Sequence, residues 1–411
     1  MSNTSSAYTA PQFFPVENGQ LLIGAIPLTR LMHRVGQTPF FAYDRQVISQ
    51  NICKLRQAMP SALKIHYAIK ANPMPALIQH LATLVDGFDV ASAGEMKLAL
   101  DTTIPVTAIS FAGPGKRALE LAQAIAAGVT INVESLHELE VIAEQCEVTG
   151  MNANVALRIN PDFELKTAGM KMGGGAKPFG IDEELIPQAL SRLSSLGLLF
   201  QGFHIYSGSQ NLKAEAIIEA QQKSLQLAVR LAASSPTPLR KLNIGGGFGV
   251  PYFAGDKAVD INRIGDALSV AMTALGQQLP ETEVIIELGR YLVAAAGVYV
   301  TRIVDRKISR GQVFLVTDGG LNHHLAASGN LGQVIRKNYP LAIGNKMAET
   351  DMEVVNIVGP LCTPLDVLAD RLNLPRAELG DLVVVFQSGA YGYTSSPVRF
   401  LSQPEAIEVL V

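Results

Sequence analysis

Eight short apolar segments follow one another along the chain, each closing on polar residues or glycine. They are Ala62–Lys70, Gly87–Ser92, Ala108–Gly113, Thr130–Glu134, Asn154–Asn160, Phe200–Tyr206, Lys241–Gly246 and Val284–Glu287. Between them, stretches such as Ala76–Leu84, Ala118–Ala127, Leu136–Cys146 and Ala214–Ala233 repeat apolar residues at three- and four-residue spacing, as an amphipathic helix does. Strand then helix, eight times over about 230 residues, predicts a (β/α)8 barrel; a doubly wound open sheet would need roughly five or six such units. After Arg290 the pattern changes. Leu292–Val304, Val313–Val316, Glu353–Val358, Leu382–Phe386 and Ala406–Val411 are β-rich and joined by turns such as Asp305-Arg306-Lys307 and Ser309-Arg310-Gly311. The expected fold class is α/β: a TIM barrel over residues 38–290 and an all-β domain over 291–411. Residues 1–37 form an N-terminal segment whose strand-like Gln20–Ile26 is expected to join the β domain.

Composition narrows the function. With 33 Lys and Arg against 36 Asp and Glu, the net charge is −3, which lacks the basic face a nucleic-acid binder needs. No apolar run approaches the ~20 residues of a membrane span. The polar start, Met1–Pro15, lacks the basic and apolar regions of a signal peptide, so a cytoplasmic location is expected. Cys53, Cys146 and Cys362 are odd in number, far apart and without CxxC spacing, which predicts neither a disulfide framework nor a metal site.

Barrels of this class carry their chemistry at the C-terminal ends of the strands. That rule selects Lys70, Asp89, Glu134, Asn160, His204, Tyr206, the glycines after Ile244, and Glu287. A period of two turns His66, Ala68 and Lys70 toward the lumen, where partial desolvation makes a lysine amine a usable nucleophile; the plainer alternative is a lysine reaching into solvent. Asn243-Ile244-Gly245-Gly246-Gly247-Phe248-Gly249 offers backbone N–H groups after strand seven, a common place for phosphate in barrels, or else a tight turn. Glu287-Leu288-Gly289-Arg290 closes strand eight with an acid and a base, a ligand pair or an exposed ion pair. Together these describe a site for pyridoxal 5′-phosphate: an amine for the aldehyde, glycines for the phosphate and an acid for the pyridine nitrogen.

Six ordered motifs resemble the fold-type III pyridoxal-phosphate decarboxylases, which include the diaminopimelate, ornithine and arginine decarboxylases. They are Tyr67–Asn72, Phe88–Glu95, Gly245–Gly249, Glu287–Arg290, Gly359–Cys362 and Ser388–Tyr391. The resemblance runs from about residue 38 to the C-terminus and implies a barrel of the alanine racemase type. It implies that Lys70 joins the cofactor aldehyde, that Gly246, Gly247 and Arg290 hold the phosphate with Ser209 and Tyr391 assisting, that Gly289 is also cofactor-binding, and that Glu287 pairs with the pyridinium nitrogen. It implies Asp89 as an orienting group near the lysine. Cys362 would come from the partner subunit as proton donor, making the active unit a homodimer with shared sites. Taken alone, a lone cysteine reads as a small buried hydrophobe.

Departures from the family bear on the substrate. Leu288 stands where a proline is usual, and Tyr206 stands where the ring-stacking histidine belongs, with His204 two residues earlier on the same face. Thr363 follows Cys362 where diamino-acid decarboxylases carry an acid for the distal amine. Threonine cannot neutralise an ammonium group, although Asp366 is a candidate substitute. Cys362–Asp366, Lys171–Gly174 and Pro178–Gly180 resemble branches that decarboxylate glutamate carried on an acyl carrier protein, as in butirosin biosynthesis, or amino acids conjugated to citrate in siderophore pathways. Lys166, Lys171 and Lys177 could meet such an acidic group, or simply be solvated surface. His323-His324 point to opposite faces if extended and predict an interface or loop role over metal chelation. The expected activity is α-decarboxylation of a conjugated L-amino acid, with meso-diaminopimelate as an alternative. Other classes are an amino-acid racemase, disfavoured because Glu287 stands where racemases place arginine, and a catalytically silent binder.

Overall fold

The structure, a computed structural model, describes residues 13–164 and 169–411. Two compact units divide the chain: Asn51–Val250 with Ala258–Leu292, and the residues up to Gln50 with Pro251–Lys257 and Val293–Val411.

The first unit is a closed barrel. Lys64–Ala68, Gly87–Val90, Ile109–Phe111, Thr130–Val133, Asn154–Asn160, Leu199–Ile205, Lys241–Gly246 and Glu283–Leu288 pair in parallel and in chain order. The eighth strand then pairs with the first, Ile286 beside Ile65 and Leu288 beside Tyr67. All eight strands lie within or against the apolar segments expected from the sequence. Alternation sends Tyr67, Phe88, Phe111, Val133 and Leu157 outward, where they are fully buried. Inward, His66, Asp89, Ser110, Asn132, Arg158, His204, Asn243 and Glu287 make an unusually polar lumen; most barrels fill it with branched apolar side chains.

Two strand-to-helix turns are pinned by one device. Ser92 caps the helix Ala93–Leu100 by accepting from the Glu95 N–H (3.2 Å), while Glu95 Oε2 accepts from the Ala91 N–H (2.8 Å). Ser135 and Glu138 repeat this at the helix Leu136–Thr149, with Glu138 Oε2 accepting from the Glu134 N–H (2.7 Å). The first strand ends at Ala68, and a single turn of 3-10 helix, Ile69–Ala71, carries Lys70.

The second unit is β-rich. Its main sheet runs in the order Leu341–Ile343, Leu382–Val385, Gly297–Ser309, Gln312–Thr317, Met352–Val358 and Val367–Pro375. Phe40–Tyr43 pairs with Gly297–Ser309 and with Ile407–Leu410. The sequence placed Phe40–Tyr43 at the start of the barrel; the structure corrects this, because its uniformly apolar residues are buried on both faces of the β sheet. Gln20–Ile23 instead forms a three-stranded sheet with Val16–Glu17 and Ile26–Pro27, and packs Leu21 and Ile23 into the same core as Phe40, Val298, Val384 and Phe386. Leu292–Ala296, expected as strand, is helical. Among the described residues, no helix is long and apolar enough to cross a membrane.

Candidate active site

The C-terminal ends of strands one, six, seven and eight converge on Glu287. Its Oε1 lies 3.7 Å from Lys70 Nζ, and its Oε2 lies 3.0 Å from His204 Nε2. Asn243 Nδ2 donates to the same Oε2 at 3.3 Å. Burial alone would raise the Glu287 carboxyl, but His204, Lys70 and the Arg158 charge outweigh it and hold the group well below the usual carboxylate range. Glu287 is therefore a fixed, buried anion at neutral pH. The Lys70 ammonium also sits over the Tyr206 ring, 5.5 Å from its centroid, and Tyr206 meets His204 edge-on. The sequence predicts a partly desolvated lysine at the mouth of the lumen, with a lysine reaching into solvent as the alternative. The structure places its side chain at the mouth, 42% exposed, because the 3-10 turn carries it one step beyond the strand.

The glycine turn is wedged between two of these strands. Gly245 and Gly247 have φ of 69° and 80°, a region that side chains resist. A Cβ on Gly246 would lie 2.0 Å from the Glu287 carbonyl oxygen, and one on Gly245 would lie 3.0 Å from Tyr206 Cδ2. Gly289 serves differently: a Cβ there would meet that of Ala71 at 2.8 Å, so its bare backbone lets the end of strand eight pack on the Lys70 turn. Arg290 begins the helix that follows, Arg290–Val293. Ser209 lies in a two-residue strand, Gly208–Ser209, paired with Met170–Lys171, and its buried Oγ has no partner among the described residues.

These residues fit pyridoxal phosphate. A buried anion stands ready for a ring N–H⁺, an amine lies beside it, and an orphaned hydroxyl and a turn with no room for side chains offer a place for phosphate. The buried His204 Nδ1 likewise has no partner among the described residues.

Asp89 lies lower in the lumen. It accepts from Ser110 Oγ and faces His66 Nδ1 at 3.5 Å, so its contacts are with the neighbouring strands. Glu134 accepts from Arg158 Nη1 (2.7 Å), the Gly113 N–H (2.5 Å) and the Gly180 N–H (3.1 Å). Lys116 meets Glu138 Oε1 at 2.9 Å. Lys116, Glu134, Glu138 and Arg158 thus form a buried charge quartet beside the site. Burial would raise Glu134, but Arg158 and Lys116 hold it below its usual value, whereas burial wins at Glu138 and raises it. Arg158 and Asn243 were not singled out from the sequence, although both share strand parity with residues that were. Of the loop lysines, Lys166 lies outside the described residues.

In the β unit, Cys362 is exposed on the loop that follows Met352–Val358. Thr363 Oγ1 accepts from the Leu365 N–H at 3.3 Å. Asp366, the candidate substitute for the missing acid, faces the backbone. It is 2% exposed, and its oxygens accept the N–H groups of Leu321 (2.7 Å) and Leu361 (2.9 Å), so it braces the Cys362 loop. Tyr391 takes a left-handed φ of 52° in a turn whose Ser395 hydroxyl donates to its carbonyl. His323 and His324 are core residues: His324 Nε2 lies 3.0 Å from Ser388 Oγ, and His323 Nε2 lies 2.7 Å from the Pro404 carbonyl.

A family profile for the pyridoxal binding domain of pyridoxal-dependent decarboxylases matches residues 45–294. The L-glutamyl-(BtrI acyl-carrier protein) decarboxylase of Niallia circulans is 40% identical over 380 residues, 91% of this chain and 89% of that protein. The diaminopimelate decarboxylase of Aquifex aeolicus is 32% identical and covers 97% of this chain and 92% of its own length. Among solved structures, diaminopimelate decarboxylase from M. jannaschii with L-lysine superposes with a TM-score of 0.88 at 27% identity, covering 97% of this chain and 92% of that one.

Proposed function

Because the chain belongs to the pyridoxal-dependent decarboxylases, we propose that it decarboxylates an L-amino acid presented as a conjugate, with carrier-protein-bound glutamate the first substrate to test. One observation carries this reading: the loop after Cys362 offers no free carboxylate. Thr363 stands where a distal ammonium would need an acid, and Asp366 is committed to backbone N–H groups. An ammonium left there unpaired is costly. The 40% likeness to a decarboxylase named for a carrier-bound glutamyl substrate supports the same direction.

The positions of Lys70, Glu287, His204 and Tyr206 support the following assignment of roles. Lys70 Nζ is the amine placed to hold the cofactor aldehyde. Glu287, kept anionic by His204 and Lys70, holds a proton on a ring nitrogen. Gly246, Gly247 and Arg290 bind the phosphate with Ser209, and the family resemblance adds Tyr391 as an assisting group. Tyr206, whose face already meets Lys70 Nζ, takes the ring-stacking role, since His204 is engaged with Glu287. The cofactor, when bound, supplies the electron sink that lets carbon dioxide leave. Cys362 Sγ of a second copy, or Lys70 Nζ, returns the proton to the α-carbon, so the active unit is a homodimer with shared sites. Asp89 steadies His66 and the lumen beneath.

A carbon dioxide release screen tests the substrate. It compares free lysine, ornithine, meso-diaminopimelate and glutamate with glutamyl carrier protein and citryl conjugates. Turnover of the glutamyl carrier above all free amino acids is expected; preferred turnover of a free diamino acid would overturn the reading.

A further inference from the structure

One buried amide touches both ends of the proposed cofactor site. Asn243 is 6% exposed on strand seven, two residues before the glycine turn. Its Oδ1 accepts the Gly245 N–H at 2.8 Å, and its Nδ2 donates to Glu287 Oε2 at 3.3 Å. The two contacts demand the same orientation of the amide. The Gly245 N–H can only donate, so it must meet the oxygen; an ionised Glu287 can only accept, so it must meet the NH₂. Neither leucine nor aspartate can satisfy both. The first bond fixes the left-handed Gly245, from which Gly246 and Gly247 continue, and the second helps fix the carboxylate. Van der Waals contact reinforces the link, since the Gly246 backbone has no room for a Cβ against the Glu287 carbonyl.

We propose that Asn243 is a positioning residue that couples the glycine turn to Glu287, so that the phosphate-holding and ring-holding ends of the site are set together. This rests on the cofactor reading above. Asn243 touches no reacting atom; it acts by fixing the direction of a buried anion and the conformation of a turn, both of which otherwise relax independently.

The test uses the full chain loaded with pyridoxal phosphate and four variants: Asn243→Ala, Asn243→Asp, Glu287→Gln and the Asn243→Ala/Glu287→Gln double. Two quantities are read: the rate at which the cofactor is lost on dialysis, and the pH midpoint of its absorption band. Asn243→Ala is expected to lose cofactor about tenfold faster and to shift the midpoint, since a hydrogen bond to a charged group is worth about that factor or more. The double variant is expected to fall no further than the worse of its two parents, because coupled residues do not add. Asn243→Asp keeps an acceptor for Gly245 and sets a like charge against Glu287. It is expected to retain cofactor better than Asn243→Ala while still moving the midpoint, and it carries the test should the alanine variant not fold. Additive losses in the double variant, or a wild-type midpoint in both Asn243 variants, overturn the coupling while leaving the cofactor reading intact. A wild-type chain that gains no Schiff-base absorption overturns that reading, and the coupling with it.

Discussion

Lys70 and Glu287 stand 3.7 Å apart at the mouth of the barrel, and removing either side of that pair separates their roles. Lys70→Ala is expected to abolish the cofactor absorption band and turnover together, as spectroscopy and carbon dioxide release would show. A different residue predicts the pH response of the fold. Burial pushes His324 from 6.5 down to about 3, so the folded state holds it neutral while the unfolded chain protonates it. The His324 contribution to stability is therefore fully present above pH 6.5 and is lost with acid at about 1.4 kcal/mol per pH unit down to about 3. His324→Gln is expected to flatten that slope in denaturant titrations between pH 6 and 4. Much of this was legible in the sequence: Lys70, Glu287 and His204 were picked out because they end strands on the lumen side. Asn243 and Arg158 were not, since each lies inside a strand and reveals itself only when a neighbour's partner is known. The involvement of Asp366 in backbone bonds was equally hidden, because a carboxylate beside a candidate proton donor looks the same in sequence whether it faces ligand or N–H.

At the level of elements, the barrel strands were readable because each is an apolar run punctuated by glycine or a charged residue. The β unit was harder. Leu341–Ile343 has three residues, and Val367–Pro375 mixes charges with its apolar residues, so neither presents a clear run. The barrel boundary expected at residue 38 took in Phe40–Tyr43, because a short apolar segment carries no label of its sheet. Two elements carry predictions. The Cys362 loop hangs on Asp366, and Asp366→Asn replaces an acceptor by a donor against backbone N–H groups. A loss of about 1–3 kcal/mol is expected, read as a lowered midpoint in thermal or urea unfolding. The Lys70 turn rests on Gly289, where a methyl group would displace Ala71. Gly289→Ala is expected to lower kcat about tenfold to a hundredfold with the cofactor still bound, because small misplacements of a reacting group are expensive.

The whole molecule enters through the proposed homodimer. Cys362→Ala is expected to keep the cofactor band and lose about a hundredfold or more in turnover, the worth of a placed proton donor. Mixed with the inactive Lys70→Ala protein, it should regain activity, since one site of the mixed dimer would then hold both an intact lysine and an intact thiol. Mixtures no more active than the Cys362→Ala protein alone would place the two residues in the same subunit's site. The buried quartet of Lys116, Glu134, Glu138 and Arg158 has a consequence of another kind. Dissolved ions weaken only the charges they can approach, over a Debye length of about 8 Å at physiological ionic strength. These four side chains are nine-tenths or more covered, beyond the reach of counterions. Added potassium chloride should therefore leave the quartet's pairs intact, so a salt series that moves turnover reports on charges at the barrel mouth, such as the 42% exposed Lys70, without altering a single atom of the enzyme.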